Sequence, residues 1–132
     1  MSSPSSKADL AQRAVITGIG AVTPIGNTAT DYWRALLNGV SGVAPITTFP
    51  VDNLDVRIAA AVKDFDPTVA MDRKMARRMS RFIHFAMACA AEAVDASGLD
   101  LATLTEDQRD RTGVVINTGG GGLEQVIDGT KT

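Results

Sequence analysis

Between Ile83 and Val94 the chain reads Ile, His, Phe, Ala, Met, Ala, Cys, Ala, Ala, Glu, Ala, Val, and only His84 and Glu92 interrupt the apolar run. At 3.6 residues per turn such a stretch leaves hardly any polar face over its length. A helix apolar all round is covered on both sides, unlike a surface helix. Gly98 stops the helix. Upstream, Asp72 can cap a helical stretch that begins at Arg73. Ser80 is expected to break that stretch and start a second helix, Arg81 to Ala96, because a hydroxyl inside a helix competes with the backbone ladder.

The remaining segments alternate between strand-like, helical and turn-rich runs. Arg13 to Thr17 is a β-prone run stopped by Gly18, after which Gly20, Pro24 and Gly26 mark a turn-rich loop. Thr28 and Asp31 form an approximate capping box, and Trp33, Leu36, Leu37 and Val40 follow at helical spacing before Gly39. Ser41 to Asp55 has no sustained period and reads as a surface connection. Val56, Ile58, Ala60 and Val62 alternate as in a strand, which Asp64 to Pro67 breaks. After a polar connection, Gly113 to Thr118 is a compact apolar run of the kind buried in parallel sheets. Leu123, Val126 and Ile127 begin a further helical stripe. Residues 1–12, rich in Ser, read as a flexible leader, and 13–132 as a folded unit.

Composition closes off several classes. With 45% hydrophobic and 21% charged residues in 132, wholesale disorder is excluded. A net charge of -2 and 5% aromatic residues leave neither a positive field nor a stacking surface for nucleic acid. The single cysteine, Cys89, rules out an intramolecular disulfide and a thiolate zinc cluster, and a reducing, cytoplasmic setting is the default. The longest apolar run, Phe85 to Ala91, is far short of the roughly 20 residues that span a bilayer. No metal site is expected.

Four features carry candidate chemistry. Arg73, Lys74, Arg77, Arg78 and Arg81 gather five of the 13 basic residues in nine positions, and Lys74, Arg77, Arg78 and Arg81 fall at i, i+3, i+4 and i+7. That face is either a solvated helix surface or a docking surface for an acidic partner, whose encounter it would speed and orient. Gly119 to Gly122 follow the apolar run Gly113 to Thr118. They invite comparison with a phosphate loop, but no Lys-Ser or Lys-Thr pair follows, and Gly18-Ile19-Gly20 lacks the third glycine of a dinucleotide fingerprint. Unusual backbone angles or a close approach by another group explain these glycines better, although a small nucleotide-binding module remains an alternative. Cys89 sits mid-helix among alanines, without the helix N-terminus or cation that would activate a thiol, and reads as a small hydrophobe. His84, the only histidine, is expected to pack or to cap, since one histidine makes no acid–base pair.

The order of these motifs resembles the N-terminal portion of β-ketoacyl acyl-carrier-protein synthases. Arg13 to Asn27 (Arg-Ala-Val-Ile-Thr-Gly-Ile-Gly-Ala-Val-Thr-Pro-Ile-Gly-Asn), Tyr32 to Gly39, Ser41-Gly42-Val43, Lys63-Asp64-Phe65, Asp72 to Ile83, Ala96 to Leu99 and Asn117 to Leu123 carry it. The resemblance implies an α/β, partial thiolase-like fold, five layers (α-β-α-β-α) in the complete enzyme, with a helix buried between two sheets. It also implies decarboxylative condensation of an acyl thioester with malonyl-carrier protein in fatty-acid or polyketide elongation. In that family a cysteine holds the acyl group and two histidines assist, all downstream of the glycine run, so the resemblance places residues 13–132 ahead of the nucleophile and puts no catalytic residue in this chain.

By the same resemblance, Lys74, Arg77 and Arg78 match positions that meet the acyl carrier protein, and Gly119, Gly120, Gly121 and Gly122 match a loop lining the acyl tunnel. Some members have a bulky gate where this sequence has Gly120, others glycine, so no chain-length preference follows. No cofactor is implied beyond the phosphopantetheine arm of the carrier, and the complete enzyme would be a homodimer. A noncatalytic, chain-length-factor-like partner of a polyketide synthase shares the same N-terminal pattern and is the competing reading.

Overall fold

The computed structural model describes residues 13–130, so the proposed leader lies outside the described residues. Helix α1 spans Ala29–Leu37 and a short strand β1 spans Val43–Pro45. Strand β2, Ile58–Ala60, pairs antiparallel with β1 in the register Val43 with Ala60 and Pro45 with Ile58. A 3-10 turn at Pro67–Val69 leads into the four-residue helix α2, Arg73–Ala76. Helix α3 runs from Arg81 to Ser97, α4 from Glu106 to Asp110, and α5 from Leu123 to Gly129.

Local chemistry sets these helix ends. The Asp31 amide donates to the Thr28 hydroxyl oxygen at 3.1 Å and that hydroxyl donates to the Asp31 carboxylate at 2.9 Å, so the first turn of α1 is closed as its sequence suggests. Asp72 accepts from the Met75 amide at 2.8 Å and opens α2. The break at Ser80 is present: Ser80 is extended, with ψ near 157°, and α3 starts after it. Its hydroxyl, however, makes no capping bond. Gly98 ends α3 at φ 69°, as expected.

The rod α3 organises what core there is. Gly18 lies against the Ala93 carbonyl and Gly20 against the Cys89 carbonyl, so close that a Cβ at either position would collide with main chain. Cys89 and Ala93 are one turn apart, roughly 6 Å along the helix. Two residues of the crossing segment must cover that rise, which requires them to be close to full extension. The Gly-x-Gly pair is therefore a packing device, which removes the dinucleotide reading of Gly18 and Gly20. The Glu92 carboxylate then accepts from the Ala21 amide at 2.9 Å and the Ala29 amide at 2.8 Å. It fastens the loop to α3 and sits at the positive end of the α1 dipole. Phe65 meets Phe85 edge to face at 5.0 Å, and Arg81 lies over the Phe85 ring at 5.1 Å while donating to the Val62 carbonyl at 2.9 Å.

Several sequence expectations are corrected. Arg13 to Thr17 and Gly113 to Thr118 form no strand among the described residues; each lacks a laddering partner, and Ile16 is 84% and Val115 94% exposed. The rod is half-covered rather than enclosed: along α3 only Ala88 is fully buried. The apolar stripe of α1 stays open to solvent as well. Within the connection 41–55 the chain makes β1, hidden in the sequence by Pro45, and the polar connection after Gly98 contains α4. There the Thr105 hydroxyl accepts from the Gln108 amide and the Gln108 side chain from the Thr105 amide. That Thr-x-x-Gln capping box is legible in the sequence.

Candidate functional site

Ser80 is the vertex of the candidate site. It is 4% exposed, the most deeply buried polar residue of the described chain, and three features converge on it. Immediately before it lies the basic turn. Arg73 and Lys74 are in α2, while Arg77 caps its C-terminus and Arg78 follows in a turn, its amide donating to the Met75 carbonyl at 3.0 Å. Immediately after it begins α3, whose Phe82 faces the third element, the glycine loop. Gly121 packs on the Phe82 ring and Gly122 on both that ring and the Ser80 Oγ.

The single cationic helical face foreseen for Lys74, Arg77, Arg78 and Arg81 is not what forms, because the helix breaks between Ala76 and Arg81. The consequence is a division of labour. Arg81 is spent on Val62 and Phe85, whereas Lys74, Arg77 and Arg78 remain exposed on the turn. Three cations near a helix end in an otherwise acidic chain suit an anionic surface.

The glycine loop uses its glycines in two ways. Gly120 has φ 152° and Gly122 φ 89°, conformations that side chains oppose, and Gly121 has no room for a Cβ beneath Phe82. The Thr118 hydroxyl oxygen accepts from the Gly121 amide at 2.9 Å and closes the turn. At Gly120 there is open space but unfavourable backbone, so a bulky residue there is opposed by conformation and not by crowding.

Cys89 is not part of this site. It lies two turns further along α3, half-buried, and burial pushes its thiol pKa up, an effect opposed by a hydrogen bond to the Val22 backbone and reinforced by the charge of Glu92. A thiol held protonated is a poor nucleophile. His84 caps, as its sequence setting suggests: its Nε2 lies 2.8 Å from the Ala76 carbonyl. A carbonyl only accepts, so the proton is on Nε2. A separate cleft of about 450 Å³ lies beside the second half of α3, between Asn27, Phe65, Val69, Ala88 and Glu92; nothing in the sequence signalled it. Among the described residues no group of three or more His, Cys, Asp or Glu side chains is disposed to hold a metal ion.

A basic turn and a glycine loop thus meet at the head of a small-residue helix. Residues 11–131 match the family described as Beta-ketoacyl synthase, N-terminal domain, and the chain belongs to that family. It is 45% identical over 117 residues to 3-oxoacyl-[acyl-carrier-protein] synthase 2 of Synechocystis sp., covering 89% of this chain and 27% of that relative. The enzyme of the same name from Vibrio harveyi is 43% identical over 118 residues, covering 89% and 28%. Among solved structures, the ishigamide ketosynthase/chain length factor is similar, with a TM-score of 0.61 and 35% identity, covering 70% of this chain and 23% of that one. The chain thus spans about a quarter of the length of these relatives, and its helices and small sheet form part of a ketosynthase-like α/β fold.

Proposed function

We propose that the chain is the N-terminal part of a 3-oxoacyl acyl-carrier-protein synthase that elongates acyl chains. In this reading the whole protein joins an acyl thioester to malonyl-carrier protein with loss of carbon dioxide. The cysteine nucleophile and two histidines lie outside residues 1–132, while this part supplies the carrier-docking turn (Lys74, Arg77, Arg78) and the tunnel-lining loop (Gly119, Gly120, Gly121, Gly122). The observation that carries it is the convergence at Ser80: a surface for an acidic carrier protein and a glycine loop share one corner of the molecule. A carrier bound on the basic turn would present its phosphopantetheine-linked acyl group close to the loop, and no further cofactor is needed.

The complete molecule is, in this proposal, a five-layer thiolase-like homodimer in the cytoplasm. The exposed runs at Arg13 to Thr17 and Gly113 to Thr118 are then places where further strands ladder on, and the half-covered α3 becomes the enclosed rod its sequence describes. The name of the structural relative keeps one second reading in play, a chain-length-factor-like subunit that shapes the product without condensing. Incubating the purified protein with acyl-carrier protein and analysing its peptides by mass spectrometry separates the two. A synthase acquires an acyl group on a cysteine outside residues 1–132, and malonyl-carrier protein then discharges it with release of carbon dioxide. A protein that takes up no acyl group overturns the synthase reading.

A further inference from the structure

The two polar side chains inside the apolar rod both reach out of it to hold main chain: Glu92 holds the loop and α1, and His84 holds α2. We infer that His84 is a positioning residue for carrier recognition, setting the direction of the basic turn through the Ala76 carbonyl; this rests on the docking role proposed for Lys74, Arg77 and Arg78.

A four-residue helix has no stability of its own, since isolated helices of fewer than roughly a dozen residues are marginal in water. Helix α2 is therefore held from outside. At its start Asp72 accepts from the Met75 amide at 2.8 Å. At its end the Ala76 carbonyl, which begins the peptide unit leading to Arg77, accepts from His84 Nε2 at 2.8 Å and more weakly from the Met79 amide at 3.4 Å. His84 belongs to the second turn position of α3, a 17-residue helix anchored along its length. The bond thus crosses the Ser80 break and transfers the rigidity of α3 to the peptide plane from which Arg77 and Arg78 depart. The Arg77 and Arg78 amides donate to the Arg73 and Met75 carbonyls at 3.3 and 3.0 Å, both within the turn itself, so without His84 the Ala76 carbonyl loses its tie to α3 and the direction of the turn is less sharply set. Charge complementarity depends on where charges point as much as on how many there are. Removing the donor leaves the turn's charge intact and disperses it.

The test compares two amides. In His84→Gln the side-chain nitrogen reaches the position of the imidazole Nε2, while in His84→Asn it stops a bond short; both remain polar and uncharged. Binding of a purified phosphopantetheinylated acyl carrier protein to the purified protein is measured by calorimetry, with thermal melts alongside. His84→Asn is expected to raise Kd roughly three- to tenfold, the loss of one hydrogen bond, while His84→Gln stays within about twofold of the parent. If His84→Asn does not fold, His84→Phe, which fills similar volume without a donor, replaces it. A third arm, Arg77→Glu with Arg78→Glu, examines the docking reading itself and is expected to raise Kd more than either amide and to flatten its salt dependence. If the charge reversal weakens binding but the donor-less His84 variant does not, or His84→Gln weakens it equally, the positioning role is wrong and docking stands. If the charge reversal leaves Kd unchanged, docking falls and the role of His84 falls with it.

Discussion

Cys89 shows how little a residue's type decides without its surroundings. The family implied by the sequence uses a cysteine nucleophile, and this chain has one cysteine, yet its main-chain carbonyl lies against Gly20 and its thiol has its pKa raised mainly by burial. A folded pKa above the unfolded one means the thiol form stabilises the fold fully below the ordinary thiol pKa, and that contribution is lost as pH climbs through the folded value. Iodoacetamide is therefore expected to alkylate Cys89 more slowly than a free cysteine between pH 7 and pH 9. Its rate should inflect at higher pH, measured by mass shift against time; a rate equal to that of the free amino acid would show the thiol to be activated. The setting among alanines was legible in the sequence. The contact with Gly20 was not, because nothing local links positions 20 and 89.

Among elements, α1, α2 and α3 were legible, as was β2 within the alternating run from Val56 to Val62, whereas β1 and α4 were not. Helix ends are written within a few residues: Thr28 with Asp31, Asp72 three before Met75, Ser80 ahead of the rod and Gly98 after it all act close by, and all mark real boundaries. A strand exists only through its ladder, so Val15, Ile16, Val114 and Val115 advertise a sheet that the described residues do not build. The site was legible as two lists, Lys74, Arg77 and Arg78 with Gly119 to Gly122. Their meeting at Ser80 was not, since it depends on Gly121 seating on Phe82 some forty residues earlier. The close crossing of the entry segment over α3 makes a sharp prediction at this scale. Gly20→Ala forces a Cβ into the Cys89 carbonyl and is expected to cost about 1–3 kcal/mol in urea unfolding, the usual range for overpacking. Gly113→Ala, where a Cβ meets nothing within 4 Å, is the control and should change little.

At the scale of the molecule, many large apolar side chains of the described residues stay open to solvent. Val15, Ile16, Val114 and Val115 are the most exposed of them, and unpaired apolar runs of this kind associate with one another. Residues 1–132 produced alone are accordingly expected to bind a hydrophobic dye, to melt over a broad temperature range and to self-associate at micromolar concentration. Ile16→Lys together with Val115→Lys should lower the sedimenting mass without lowering the melting midpoint. A sharp, monomeric melt of the parent chain would contradict this account.

The grip of Glu92 on two separate stretches has its own effect. One carboxylate serves as a buckle for Ala21 and Ala29 alike, so a small roll of α3 about its axis withdraws both oxygens in the same movement. The entry strap and the first helix are then loosened together, as a single latch opening.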